Sequence, residues 1–353
     1  MNKEATSNLS LDDEDSHRHL LPKGSPFMEG SDFMFLAETE DYDISVVQII
    51  FGLGGGKQST WQVENDTGML QTTVIIAPKS QRGVIADNEF IGNRSFATDW
   101  EGDVQITRTH DAVVYQLGKI KHVCKPPYWE LTGEHNGVEF NLVAGGMGHA
   151  VPWKGEWANV ATKGGAGYGV PIWVEGTIRA NGITHVIKNA QGCRDNFINT
   201  TDLAKTYNER KINYYWIWCL DPAMRAMVYH IPGVRTHNEV NAQGEDVPFE
   251  DGETEITPLD WWLDPRTGVQ VPTRWHLKMH AAAGTTDLVL QGGPRSLYSY
   301  LTKSGLSLHV GFLARANGTF TYQDGSVIQI KEAQSYVEWG RALFPLPSGN
   351  STV

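Results

Sequence analysis

The sequence is poor in cysteine. Cys124, Cys193 and Cys219 are few, odd in number and scattered, which excludes a disulfide framework and suits a reducing compartment. No CxxC, HExxH or Cys/His cluster occurs, so a structural zinc site is not expected and no metal is assigned. No apolar run approaches the roughly 20 residues of a membrane span. The stretch from Met1 to Asp15 is polar and acidic, without the basic and apolar regions of a secretion signal, so a cytoplasmic location is expected. Basic charge is also in deficit. Lys and Arg number 29 against 41 Asp and Glu, a formal net charge of −12, which makes nucleic acid and anionic lipid poor partners. No GxGxxG opens a helix, no glycine run leads into Lys-Ser/Thr, and no GxSxG elbow appears. Nucleotide-binding and serine-hydrolase readings therefore fail, and no cofactor is expected.

What is abundant is aromatic and glycine: 12 Trp, 12 Tyr, 12 Phe and 37 Gly in 353 residues. Short segments rich in β-branched and aromatic residues are bounded by Gly, Pro, Asn or Asp, as at Ile44 to Phe51, Gln71 to Ala77, Val113 to Leu117, Glu139 to Val143 and Trp173 to Ala180. The pairs Asn136-Gly137, Asn181-Gly182, Asn317-Gly318 and Asp324-Gly325 read as hairpin turns between them. Helical periodicity is scarce, its best candidate being the short Asp202 to Arg210. The pattern predicts an antiparallel all-β protein. Its length exceeds one ordinary core and fits two domains.

An internal echo supports that division. Arg-Ala-Asn-Gly stands at 179–182 and again at 315–318; Ile-Lys-x-Ala-Gln stands at 187–191 and again at 330–334. Upstream, Trp129-x-Leu131 with Leu142-Val143 matches Trp275-x-Leu277 with Leu288-Val289. A period of about 140 residues means domain duplication rather than a solenoid. The two spacings differ, which predicts a longer hairpin in the second copy. Hairpins in each copy must close or stack to hide their edges, so a barrel or curved sandwich is expected in each half. The expected organisation is a polar, solvated tail over 1–27, a first β domain over 28–205 and a second over 206–353.

The run Glu175-Gly176-Thr177-x-x-Ala180-Asn181-Gly182, a strand, and then Gly192-x-Arg194-Asp195 resembles the first-domain ending of the two-domain lipocalin-like proteins. That group includes the carotenoid 1,2-hydratases (hydroxyneurosporene synthases) and fungal pericyclase-type cyclases. The aromatic run Tyr214 to Trp218 and the closing hairpin from Gly325 to Trp339 also follow the pattern. Where the family continues into a Trp-Gly pair, this chain runs Asn196-Phe197-Ile198-Asn199. The resemblance implies two lipocalin-like barrels and cofactor-free work on an apolar substrate: adding or removing water, isomerising or cyclising it.

Such chemistry needs a proton donor and acceptor held out of water, with aromatic faces to steady a developing cation. Asp195 is the first candidate, with Arg194 beside it as a positioning group; neighbours on one strand point to opposite faces, so their pairing requires a turn. Glu338 ends the second copy where Asp195 ends the first. Tyr214, Trp216 and Trp218 alternate onto one face, which makes an aromatic ligand wall or an interdomain seam, with His230 nearby as a candidate base. The long loop from Gly145 to Pro171 carries His149, Trp157 and Tyr168 and reads as a pocket rim, and Trp173 follows it. It draws the expected pocket to the first barrel or its junction with the second. His237 and Glu239 form a further polar cluster. The expected catalytic groups are thus Asp195, His149, Tyr168 and His230, with Arg194, Trp157, Trp173, Trp216, Trp218 and His237 binding substrate. The leading expectation is a cofactor-independent lyase or isomerase acting on a small hydrophobic terpenoid, polyketide or aromatic compound. A non-catalytic carrier of an apolar ligand is the alternative. The one macromolecular partner left open is a second copy of the chain, as a homodimer.

Overall fold

Alternation of apolar residues on both faces of long strands is the dominant structural fact of this chain. The structure is a computed structural model, and it describes residues 4–56, 66–85, 98–200, 213–232, 235–242, 245–249 and 251–343. Two antiparallel sheets are present among these. The first contains β1 (Phe27–Glu38), β2 (Tyr42–Gly54), β3 (Thr67–Pro78), β4 (Thr98–Gly102), β5 (Gln105–Arg108), β6 (Val113–Leu117), β7 (Ile120–Lys125), β8 (Tyr128–His135), β9 (Val138–Gly146), β10 (Val151–Gly155), β11 (Gly165–Ala180) and β12 (Ile183–Asn199). Its order is β4-β3-β2-β1-β12-β11-β9-β8-β7-β6-β5, with β10 laid against β11.

The second sheet contains β13 (Tyr214–Asp221), β14 (Met224–Ile231), β15 (Arg235–Ala242), β16 (Glu245–Phe249), β17 (Thr254–Leu263), β18 (Gln270–Ala281), β19 (Gly284–Thr302), β20 (Gly305–Tyr322) and β21 (Val327–Leu343). Its order, β16-β15-β14-β13-β21-β20-β19-β18-β17, repeats the first with β13 in the place of β1 and β21 in the place of β12. Each sheet curls around its own core, one centred on Trp129, Phe33 and Phe140 and the other on Trp275, Trp339 and Phe312. A third core lies between the sheets and draws on both.

The duplication is real, and its register corrects part of the sequence echo. Leu131 pairs with Leu142, and Leu277 with Leu288, so the upstream match is structural. Each long hairpin carries a bulge at the same point. Gly176 and Asn189 have positive φ in the first copy, and Gly318 and Glu332 have it in the second. The Ile-Lys-x-Ala-Gln segments therefore correspond, but the Arg-Ala-Asn-Gly segments do not. Asn181-Gly182 is the turn between β11 and β12, whereas Asn317-Gly318 lies inside β20 at a bulge. The second hairpin turns at Asp324-Gly325 and is not lengthened as the spacing suggested. Asn136-Gly137 turns between β8 and β9 as expected.

The N-terminal segment is not solvated. Leu9 and Leu11 pack against the first core, and Glu14 is fully buried inside it. Glu14 pairs with Arg194 at 2.7 Å, both side chains having 0% exposure, and its Oε1 accepts the Trp129 indole N–H at 2.5 Å. Glu29 in turn accepts from the Ser16 hydroxyl, the His17 amide and the Arg18 guanidinium. On the second sheet Trp275 is in the core, whereas Trp261 stands 51% exposed on the edge strand β17. The helix expected over Asp202 to Arg210 and the expected domain boundary at 205/206 lie outside the described residues.

Candidate active site

Period-two alternation decides which side chains meet between the sheets. On β12, Arg194 and Asn196 point into the first core and Ile198, on the same face, joins a small cluster with Phe27 and Val160, while Cys193, Asp195 and Phe197 point to the seam; on β1, Phe33 and Phe35 point inward, while Asp32, Met34 and Leu36 point to the seam. On the second sheet Tyr214, Trp216 and Trp218 of β13, Tyr298 and Tyr300 of β19, and Tyr336 of β21 face the same seam. The seam opens as a cleft of about 500 Å³, counting its mouth.

One wall of the cleft carries two carboxyl groups as direct cross-strand neighbours, since Asp32 of β1 is in register with Asp195 of β12. Both are buried. Asp32 Oδ1 accepts the Asp195 amide at 3.1 Å, and Asp195 Oδ1 accepts from the Cys193 thiol at 2.7 Å. Burial first, then the charge of Asp195, pushes that thiol well above its ordinary pKa, so it remains a protonated donor.

The opposite wall carries Glu338 with only 1% exposure. Its carboxylate accepts from the Tyr298 hydroxyl at 2.5 Å and the Tyr336 hydroxyl at 3.0 Å, with His309 Nδ1 at 3.4 Å. The other His309 nitrogen is 2.8 Å from the Ser307 hydroxyl, and its ring stacks on Tyr298 at 4.7 Å. Burial, then the Glu338 charge, pushes both phenols well above their usual pKa. Tyr300 bridges the walls by donating to Gln71 Oε1 of the first sheet. Asp195 lies four residues after Gln191 and Glu338 four after Gln334, so the two acids are copies of one ancestral position.

The expected site residues separate into groups. Asp195 and Trp216 line the cleft. His149 and Trp218 line a second recess further along the seam. Tyr168 and Arg194 face the first core, and Trp157 packs at its edge, stacked on His17 at 3.5 Å. Arg194 therefore does not position Asp195; strand alternation sends it to Glu14. His230 is in register with Tyr215, a second-core residue, and so sits on the face turned away from the cleft. Trp173 covers Gly145 and packs edge-on against Tyr128, outside the cleft. The side chain of His237 lies outside the described residues.

Asp32, His309, Tyr298 and Tyr300 are cleft residues that the sequence reading missed. The acid Asp32 directly before the apolar run Phe33 to Leu36, and the repeat position of Glu338, were the available signals.

Two duplicated antiparallel sheets, packed across an acid-bearing aromatic cleft, define a two-domain lipocalin-like β protein. In fold the chain is similar to an AttH-type protein of Nitrosomonas europaea, at 13% identity and a TM-score of 0.57, covering 97% of this chain and 99% of that one. A weaker likeness, at 11% identity and a TM-score of 0.42 over 97% and 96% of the two chains, is to kievitone hydratase from Nectria haematococca. No family model and no curated protein matches the sequence.

Proposed function

We propose that the chain is a lyase of the hydratase or dehydratase type, acting on an unsaturated hydrophobic molecule held in the interdomain cleft. The observation that carries this reading is the presence of Asp32 and Asp195 on one wall and Glu338 with His309 on the other, around aromatic faces. In the hydration direction, the Asp32/Asp195 pair donates a proton to one alkene carbon. The adjacent carbon becomes cationic, and the π-faces of Tyr214 and Trp216 stabilise it in a site from which bulk water is largely excluded. A single water adds to that carbon and gives its proton to the Glu338–His309 pair, so that the net change is addition of water across the double bond. Dehydration is the same path reversed. Tyr298 and Tyr336 hold the Glu338 carboxylate in place as it changes charge.

The test is incubation with a panel of isoprenoid-bearing phenols and tertiary alcohols in ¹⁸O-water, followed by mass spectrometry. The expected products carry the label or have lost water. Asp195→Asn and Glu338→Gln should each lower turnover at least about 100-fold, the usual scale for a general acid or base, with little change in melting temperature. Ligands returned chemically unchanged across the panel would refute a lyase and favour a carrier, and full activity in both variants would remove Asp195 and Glu338 from the mechanism.

A further inference from the structure

Beyond Trp216 the seam continues past Trp218 into a second recess of about 610 Å³, counting its mouth. The proposed chemistry does not use it. Cys193 joins the two spaces, because it lines the recess while its thiol donates to Asp195 in the cleft. The Trp216 and Trp218 rings lie 6.1 Å apart at the junction.

Arg225 stands at the far end, on the seam-facing side of β14 in line with Met227 and Tyr229. Burial lowers its pKa, against the opposing charges of Asp246 and Glu239. Among the described residues its one hydrogen-bond partner is the Met147 sulfur at 3.9 Å, and it forms no ion pair. A guanidinium has five N–H donors, and a thioether is a weak acceptor. A half-buried cation with such a partner is a site that favours an incoming oxygen.

The surrounding groups narrow what that oxygen belongs to. Glu239, Asn241, Asp246 and His149 also line the recess, and Asn241 donates to Asp246 at 2.5 Å. An anion drawn to Arg225 would be repelled by Glu239 and Asp246. A neutral hydroxyl or carbonyl group can accept from Arg225 and, as a hydroxyl, donate to a carboxylate. From Arg225 to Tyr229, where the acid cleft begins, is four residues of strand, roughly 13 Å.

We propose that the recess binds the neutral oxygenated head, phenolic or hydroxy-carbonyl, of an amphipathic substrate whose apolar unsaturated part lies over Trp218 and Trp216 in the acid cleft. This deepens the lyase reading and rests on the cleft being its ligand site.

Three probes with one tail separate the head groups: 4-butylphenol, butylbenzene and 4-butylbenzoate, titrated calorimetrically into the full chain. The phenol should bind about tenfold more tightly than butylbenzene, the ratio expected for one hydrogen bond to a charged group. Arg225→Met should bring that ratio to about one without weakening butylbenzene, and Asp246→Asn should improve 4-butylbenzoate several-fold. If Arg225→Met fails to fold by circular dichroism, Arg225→Lys keeps the charge but loses the fork, and should reduce the ratio about threefold. Equal affinity for phenol and hydrocarbon in the parent protein, or a phenol preference that survives in the Arg225 variant, would overturn the proposal. Asp195→Asn should keep the phenol preference, so failure of the lyase chemistry and failure of the head-group site give different results.

Discussion

Arg194 and Asp195 are adjacent in sequence yet serve different interiors. The strand sends Arg194 into the first core, where Glu14 neutralises it, and Asp195 into the cleft. Arg194 also donates to the Asp32 carbonyl at 3.2 Å and to the Ser31 hydroxyl at 3.1 Å, so the buried cation secures the strand that carries the second cleft acid. Removing one member of a buried ion pair leaves the other charged and unsatisfied, at a cost of about 3–5 kcal/mol. Glu14→Ala should therefore destabilise the protein by about that amount in urea unfolding, far more than a substitution in a solvated tail would. A change below about 0.5 kcal/mol would mean that the N-terminal segment does not occupy the first core. At this scale Asp195 was legible because a carboxylate ended each repeat. Glu14 was not, because nothing local distinguishes an acid that plugs a core from one in a solvated acidic segment.

The long hairpins β11–β12 and β20–β21 show how sequence identity and structural equivalence part company. Arg-Ala-Asn-Gly makes a turn in one copy and a strand bulge in the other, since hydrogen-bond register, not four matching letters, decides where a strand ends. The bulge glycines are the better markers. Gly318 has φ +151, and a Cβ there would lie 2.0 Å from the Asp287 carbonyl oxygen; Gly176 has φ +132, with the Asn141 oxygen at 2.2 Å. Gly325, in the turn, has φ +84 with open space around it. Gly325→Ala should thus cost only the backbone strain, about 1 kcal/mol, whereas Gly318→Ala should cost distinctly more because the β19–β20 ladder must also shift. Thermal unfolding of the two variants checks the order, and equal losses would show that the bulge tolerates a side chain. The strands themselves were legible from alternation and turn chemistry. The bulges were not, since an isolated glycine in a strand has several possible causes.

At the scale of the whole molecule, the proposed function rests on two copies of one sheet placed face to face. Duplication supplied an acid to each wall, Asp195 and Glu338, and divergence then changed their surroundings: a carboxyl neighbour and a thiol on one side, two phenols and an imidazole on the other. The walls are also tied together away from the cleft. Arg315 of β20 reaches Glu38 at 2.8 Å and Asp43 at 2.7 Å, and Gln334 donates to the Ala37 carbonyl at 2.8 Å. Burial would raise the Asp43 pKa, but Arg82 and Arg315 together hold its carboxyl below the usual range. The sequence made an aromatic seam legible through Tyr214, Trp216 and Trp218, but the partners of that face come from β1, β2, β3, β12, β19 and β21. Pairing over such distances in sequence leaves no local signal. That is why Tyr168 and His230 read as site residues and turned out to face the two cores.

The most direct measurement is a crystal structure of the protein soaked with 4-butylphenol. Density for the ring against Trp216 or Trp218, on the seam between Asp195 and Glu338 or extending toward Arg225, is the predicted result. Density inside the first sheet beside Tyr168 and Arg194, with the Glu14 segment displaced, would contradict it: the ligand site would then belong to a single barrel rather than to the junction of two.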